Sequence, residues 1–108
     1  MNGFLGEFEQ LILFAILQAG TEAYGAVIQR EIESRAGRSA SLGAVYTTLQ
    51  RLEDKGLIAS RVGDPLPERG GRRRKYYLVK PAGVRHLESS LAALRQMTLG
   101  LPRPLEAP

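Results

Sequence analysis

Residues 41–58 read Ser-Leu-Gly-Ala-Val-Tyr-Thr-Thr-Leu-Gln-Arg-Leu-Glu-Asp-Lys-Gly-Leu-Ile, and the fold turns on this stretch. Leu42, Val45, Tyr46, Leu49 and Leu52 recur at i, i+3, i+4, i+7 spacing. That pattern predicts a helix starting near Ser41, buried on one side and ending at Lys55-Gly56. With Leu42 set at zero, the apolar face spans about −80° to +40°. Arg51 falls opposite it, with Ala44, Thr47, Thr48 and Lys55 within about 60° of Arg51. Gly43 and Ala44 are small, so the start of the helix can approach a phosphate or a base edge closely. Ser41 and the free amides of the first turn are natural phosphate donors. Thr47 and Thr48 can donate, accept, or set a methyl against thymine, and Arg51 can pair with guanine or clamp a phosphate. Taken alone, this is equally the polar face of any amphipathic helix.

Upstream, Phe4, Leu5, Phe8, Leu11, Ile12, Ala15 and Ile16 follow helical spacing, and Gly20 is placed to stop the helix. Its Leu11–Leu17 run is apolar nearly all round, which calls for burial on more than one side. Thr21 can cap a second helix with Tyr24, Val27, Ile28 and Ile32 on one face and Gly37 at its end. Two helices joined by the short Arg38-Ser39-Ala40 turn make a helix-turn-helix, whose second helix can enter a major groove.

Downstream the period changes. Leu57–Val62 and Lys75–Val79 are short β-prone runs, separated by a segment holding Gly63, Pro65, Pro67, Gly70 and Gly71. Two strands and a basic tip form a hairpin. Alternation sets Tyr77 and Val79 inward and Tyr76 and Leu78 on the other side. Leu78 either packs under the last helix or is an ordinary exposed leucine. Pro81 suits the first turn of a fourth helix, along which Val84, Leu87, Leu91, Leu94 and Met97 make a heptad-like seam. Lys80 is a poor cap there and opposes the helix dipole, so the first turn is expected to fray. Three prolines in residues 101–108 predict a frayed tail.

Fifteen basic residues against eleven acidic ones give the 108-residue chain a net charge of only +4. The distribution is more telling. Residues 1–29 contain no Lys or Arg, whereas residues 61–75 hold six basic residues against Asp64 and Glu68. Such concentration suits a polyanion, nucleic acid before an anionic membrane, although a solvated surface run has the same composition. A basic tip directly after a candidate recognition helix is what a wing gripping the sugar-phosphate backbone requires, with Arg72, Arg73, Arg74 and Lys75 at the start of the returning strand.

Other chemistries find little footing. There is no cysteine, which removes disulfides, thiolate metal sites and a cysteine nucleophile. His86 is the single histidine and Glu53-Asp54 the only adjacent acidic pair, so neither an enzyme nor a metal site is expected, and no cofactor. The longest apolar run is far short of the roughly 18 residues that span a bilayer. The first ten residues carry no positive charge, which argues against a secretory signal and for a cytoplasmic protein.

Residues 41–58, together with Gly70-Gly-Arg-Arg-Arg-Lys-Tyr-Tyr77 and the early Ala23-Tyr24-Gly25, resemble the PadR family of bacterial winged-helix transcriptional regulators. The resemblance covers about residues 4–97. It implies a dimeric, repressor-type protein with a C-terminal dimerisation helix, and places Tyr46 and Arg72–Lys75 near the DNA backbone. By helical angle the Tyr46 ring belongs to the core, leaving only its hydroxyl to reach a phosphate. Two departures from the family pattern are Lys80, where a threonine is usual, and Leu78, where a polar residue is usual.

The fold expected is therefore mainly α with a small β-hairpin: a winged helix-turn-helix over residues 1–80, a dimerisation helix over 81–100 and a flexible tail over 101–108. The expected partner is double-stranded DNA, read as a pseudo-palindrome by a homodimer. The seam Val84, Leu87, Leu91, Leu94 and Met97, with Phe4, Leu5, Phe8 and Leu11, is assigned to the dimer interface; packing of the seam within one chain is the alternative. A winged helix serving as a protein-interaction adaptor is the runner-up reading, disfavoured by the polar Thr47, Thr48 and Arg51. Membrane binding through the wing would need an apolar wedge, for which Leu66 is the sole candidate. Relatives of this kind can respond to small aromatic molecules; the chain has no Trp to stack on one, and an effector is left unassigned.

Overall fold

The computed structural model describes residues 5–65 and 73–108. Phe4, Leu66 and the Gly70-Gly71-Arg72 part of the wing lie outside the described residues. The elements run α1 (Glu7–Ala19), a 3-10 turn (Gly20–Glu22), α2 (Gly25–Ala36), α3 (Leu42–Asp54), β1 (Ile58–Pro65), β2 (Arg73–Val79) and α4 (Pro81–Thr98).

α1 starts in a one-sided cap: the Glu9 carboxylate accepts from the Gly6 amide at 3.0 Å. Its aliphatic residues Ile12, Leu13 and Ile16 sink into the core with Ile28 and Ile32 of α2, Val45, Leu49 and Leu52 of α3, and Ile58. Each such side chain stabilises the fold by about 1.5–3 kcal/mol through apolar burial. α2 begins later than Thr21 would place it. Thr21 lies in the 3-10 turn, and Tyr24 precedes the helix in extended conformation. The Tyr77 amide donates to the Ala23 carbonyl at 2.9 Å, and Tyr24 bridges Tyr76, so the chain before α2 adds an edge to the hairpin. α2 ends at Gly37, whose φ of 64° is left-handed and favours glycine. The turn into α3 is pinned by Gln29, whose Nε2 donates to the Ala40 carbonyl at 2.7 Å.

β1 and β2 are antiparallel, with Ile58 opposite Val79 and Val62 opposite Lys75; the register shifts between Val62 and Pro65. Both strands run farther toward the tip than the β-prone runs suggest. Tyr77 is buried and Val79 half-buried on the inner face, and Leu78 is exposed on the other. The first turn of α4 is intact despite Lys80, which makes no side-chain cap. The Lys80 amide donates to the Leu57 carbonyl at 2.9 Å, and the Leu57 amide donates to Leu52 at 3.0 Å. Backbone pairing fixes residue 80 at the start of the helix without a side-chain cap.

Only Gly83 and Leu87 of α4 are buried. The helix leaves the body, giving extents of 57 × 30 × 21 Å and a radius of gyration of 16.1 Å. A compact chain of this length would have about 13 Å. Residues beyond Gly100 are exposed and outside any helix or strand.

Candidate nucleic-acid interface

Ser41 caps α3, its Oγ accepting from the Ala44 amide at 3.0 Å. Leu42, Gly43 and Ala44 are exposed, so the first turn of the helix presents its surface to solvent. The buried line along α3 is Val45, Thr48, Leu49 and Leu52. Thr48 is only 5% exposed, which corrects its assignment to the outward face. Leu42 and Tyr46, expected at the inward edge, are 39% and 46% exposed. The helix is thus rotated by about 50° from the orientation its leucines suggest. Hydrophobicity alone does not fix position around the helix, because a threonine can be buried while a tyrosine lies across the surface.

The Tyr46 ring is accordingly outside the core. It lies against the start of α2, where a Cβ on Gly25 would come within 2.5 Å of its hydroxyl. The absence of a side chain at Gly25 makes room for it. The rotation brings a different set outward: Tyr46, Thr47, Gln50, Arg51 and Asp54 line one open depression. Gln50 Nε2 donates to Asp54 Oδ1 at 3.0 Å. Gln50 escapes the sequence reading because helical angles counted from Leu42 place the outward face about 50° too far round. Lys55 is turned toward α1, where its Nζ meets Glu9 Oε2 at 2.8 Å. Burial is the largest single influence and would raise the Glu9 pKa. The Lys55 hydrogen bond, the Gly6 amide and the charges of Lys55 and Arg51 together outweigh it, and the pKa is lowered.

Along β2 the basic residues separate by alternation. Arg73 is exposed near the tip. Arg74 is half-buried, with its guanidinium 4.1 Å from the centroid of the Tyr24 ring. Tyr24 in turn meets Tyr76 edge-on at 5.7 Å, and Arg61 stacks over Tyr76 at 4.6 Å. The four side chains form a ladder that braces the hairpin against the chain before α2. Lys75 lies on the opposite face, 3.8 Å from Glu53 Oε1, while Ser60 Oγ donates to Glu53 Oε2 at 2.7 Å. Glu53 therefore ties the end of α3 to both strands. Burial pushes the Tyr77 hydroxyl pKa up, with Tyr46 and Glu53 adding to the shift.

The residues assigned to pairing of two chains divide into three groups. Leu5 and Leu87 are in the chain's own core, Leu87 being only 2% exposed, which corrects their assignment to an interface. Both side chains are consumed within the chain's own core cluster. Phe8, Leu11 and Val84 are half-buried, and Arg38 covers the Phe8 ring at 4.9 Å. Leu91, Leu94 and Met97 are exposed, Met97 by 77%. Among the described residues, no cluster of three His, Cys, Asp or Glu side chains could hold a metal ion, and no helix is long and apolar enough to cross a membrane.

A three-helix unit followed by a paired hairpin has counterparts among known proteins. Residues 13–89 match the model of the transcriptional regulator PadR-like family. The chain belongs to this family of transcriptional regulators. A transcriptional regulator of Mycobacterium tuberculosis is 40% identical over 81 residues, 73% of this chain and 69% of that protein. Among solved structures, a PadR family transcription regulator from hypervirulent Clostridium difficile is 28% identical, with a TM-score of 0.65 over 84% of this chain and 91% of that one. Bacillus subtilis PadR in complex with operator DNA shares the fold at 24% identity, with a TM-score of 0.67 over 79% of this chain and 46% of that one. The PadR winged helix is thus the frame on which the α3 face and the hairpin stand.

Proposed function

We propose that this chain is a sequence-specific regulator of transcription that binds duplex DNA as a homodimeric repressor. α3 enters the major groove, and the basic strand β2 with its tip grips the backbone. The observation that carries this reading is the outward face of α3, where Thr47, Gln50 and Arg51 lie together in an open depression next to the exposed start of the helix. Hydrogen-bonding side chains on a protruding helix fit base edges; an adaptor surface would present apolar ones. The shared fold of a PadR solved in complex with operator DNA supports DNA as the partner. Residues 1–80 form the DNA-binding unit, 81–100 the dimerisation helix and 101–108 a tail. Two copies paired through Leu91, Leu94 and Met97 would set their α3 helices on half-sites about 34 Å apart. The protein works in the cytoplasm, beside the chromosome, and any effector is a further ligand of unassigned identity.

A salt titration of binding to the promoter of its own operon tests the reading. Affinity falls steeply with salt because bound phosphates release counterions. Salt-independent binding, or none to duplex DNA, overturns it.

A further inference from the structure

Arg51 and Asp54 share the outward face of α3 with Gln50 and Thr47. A carboxylate is a poor choice for a surface meant to hold phosphates, since like charges repel. Its presence beside Arg51 leaves this patch without net charge, which suits base edges better than the backbone. Asp54 also holds its neighbour in place, since it accepts from Gln50 Nε2 at 3.0 Å, across one turn of helix. A glutamine amide has two N–H donors and one carbonyl acceptor. Where Asp54 takes the N–H anti to Oε1, the other donor and Oε1 remain side by side in one plane. That donor–acceptor pair complements N7 and the N6 amino group of adenine. The second carboxylate oxygen of Asp54 further disfavours guanine, whose groove edge presents only acceptors.

We propose that Gln50, oriented by Asp54, is the specificity-determining residue that selects adenine at one position of each half-site. The proposal rests on α3 being the DNA-contacting helix. Asp54 is a positioning residue: it removes the rotamer freedom that a lone glutamine would lose on binding.

The experiment selects binding sites from a random duplex library with the full chain, then measures affinities for single-base variants of the selected site. Wild type enriches a two-fold symmetric site with an adenine in each half. Gln50→Ala relaxes that one position, cutting the preference for adenine about tenfold, and leaves the other positions unchanged. Asp54→Ala lowers the same preference by roughly threefold, and Asp54→Asn, which keeps an acceptor oxygen, restores it. Circular dichroism melts unchanged from wild type show that the variants are folded; should Gln50→Ala not fold, Gln50→Met serves in its place. An unaltered site profile in the Gln50 variant overturns the proposal while leaving DNA binding intact. An effect of Asp54→Ala spread over all positions overturns the positioning role. Failure of wild type to enrich any site overturns the functional reading itself.

Discussion

A Cβ on Gly83 would sit 2.5 Å from the Leu57 carbonyl oxygen and 2.7 Å from Val79 Cγ1. The first obstacle is backbone, so α4 itself must shift to admit even a methyl group. Gly83→Ala is therefore expected to destabilise the fold by about 2 kcal/mol, the usual scale of overpacking, measured by urea unfolding. The charge network at Glu9 gives a pH-dependent counterpart. Its pKa is lower in the folded chain than its ordinary 4.5, so the unfolded chain binds more protons in that range. The stabilisation is complete above about pH 4.5 and is lost as pH falls through the lower, folded pKa. Urea unfolding of wild type and Glu9→Gln should converge as the pH drops from about 5 toward about 3; a constant gap would contradict the assignment. Neither residue is marked by the sequence. Gly83 looks like any helical glycine until Leu57 is seen against it, and Glu9 gains its meaning from Lys55, forty-six positions away.

At the level of elements, the hairpin divides its cations between two roles. Arg73→Ala should reduce the slope of log affinity against log salt by about one unit and leave stability unchanged. Arg74→Ala should do the reverse, costing about 1 kcal/mol by removing the stack on Tyr24. Parallel salt titrations and thermal melts separate the two. The hairpin is legible in the sequence through its change from helical to alternating period and through the basic run. Arg73 and Arg74 cannot be divided there, because that depends on which face of β2 meets Tyr24. The order and kind of all the main elements are likewise legible from hydrophobic spacing and from Gly37, Ser41 and Pro81. The rotation of α3 is not: it is set by packing against α1 and α2, where Thr48 goes in and Tyr46 stays out.

For the whole molecule, the informative dimension is the 57 Å length, produced by a helix that its own chain buries only at the base. Leu94 and Met97 are each able to contribute about 1.5–3 kcal/mol when covered by a second copy. In the homodimer proposed above, Leu94→Glu combined with Met97→Glu should raise the dissociation constant by about 100-fold or more, read by sedimentation velocity. The melt of the resulting monomer should keep its helical signal, since the core lies elsewhere. DNA binding by that monomer should weaken with the loss of the second half-site.

The Leu57 backbone is where three elements meet. Its amide is bonded to the end of α3, its carbonyl receives the start of α4, and β1 begins at the next residue. α4 extends about 27 Å from that point, so a tilt of about 10° carries its far end roughly 5 Å. In a symmetric pair the same tilt acts twice and in opposite senses. In the homodimer proposed above, the gauge between two reading helices, and with it the length of operator they could span, would thus be set at one residue, Leu57, in each protomer.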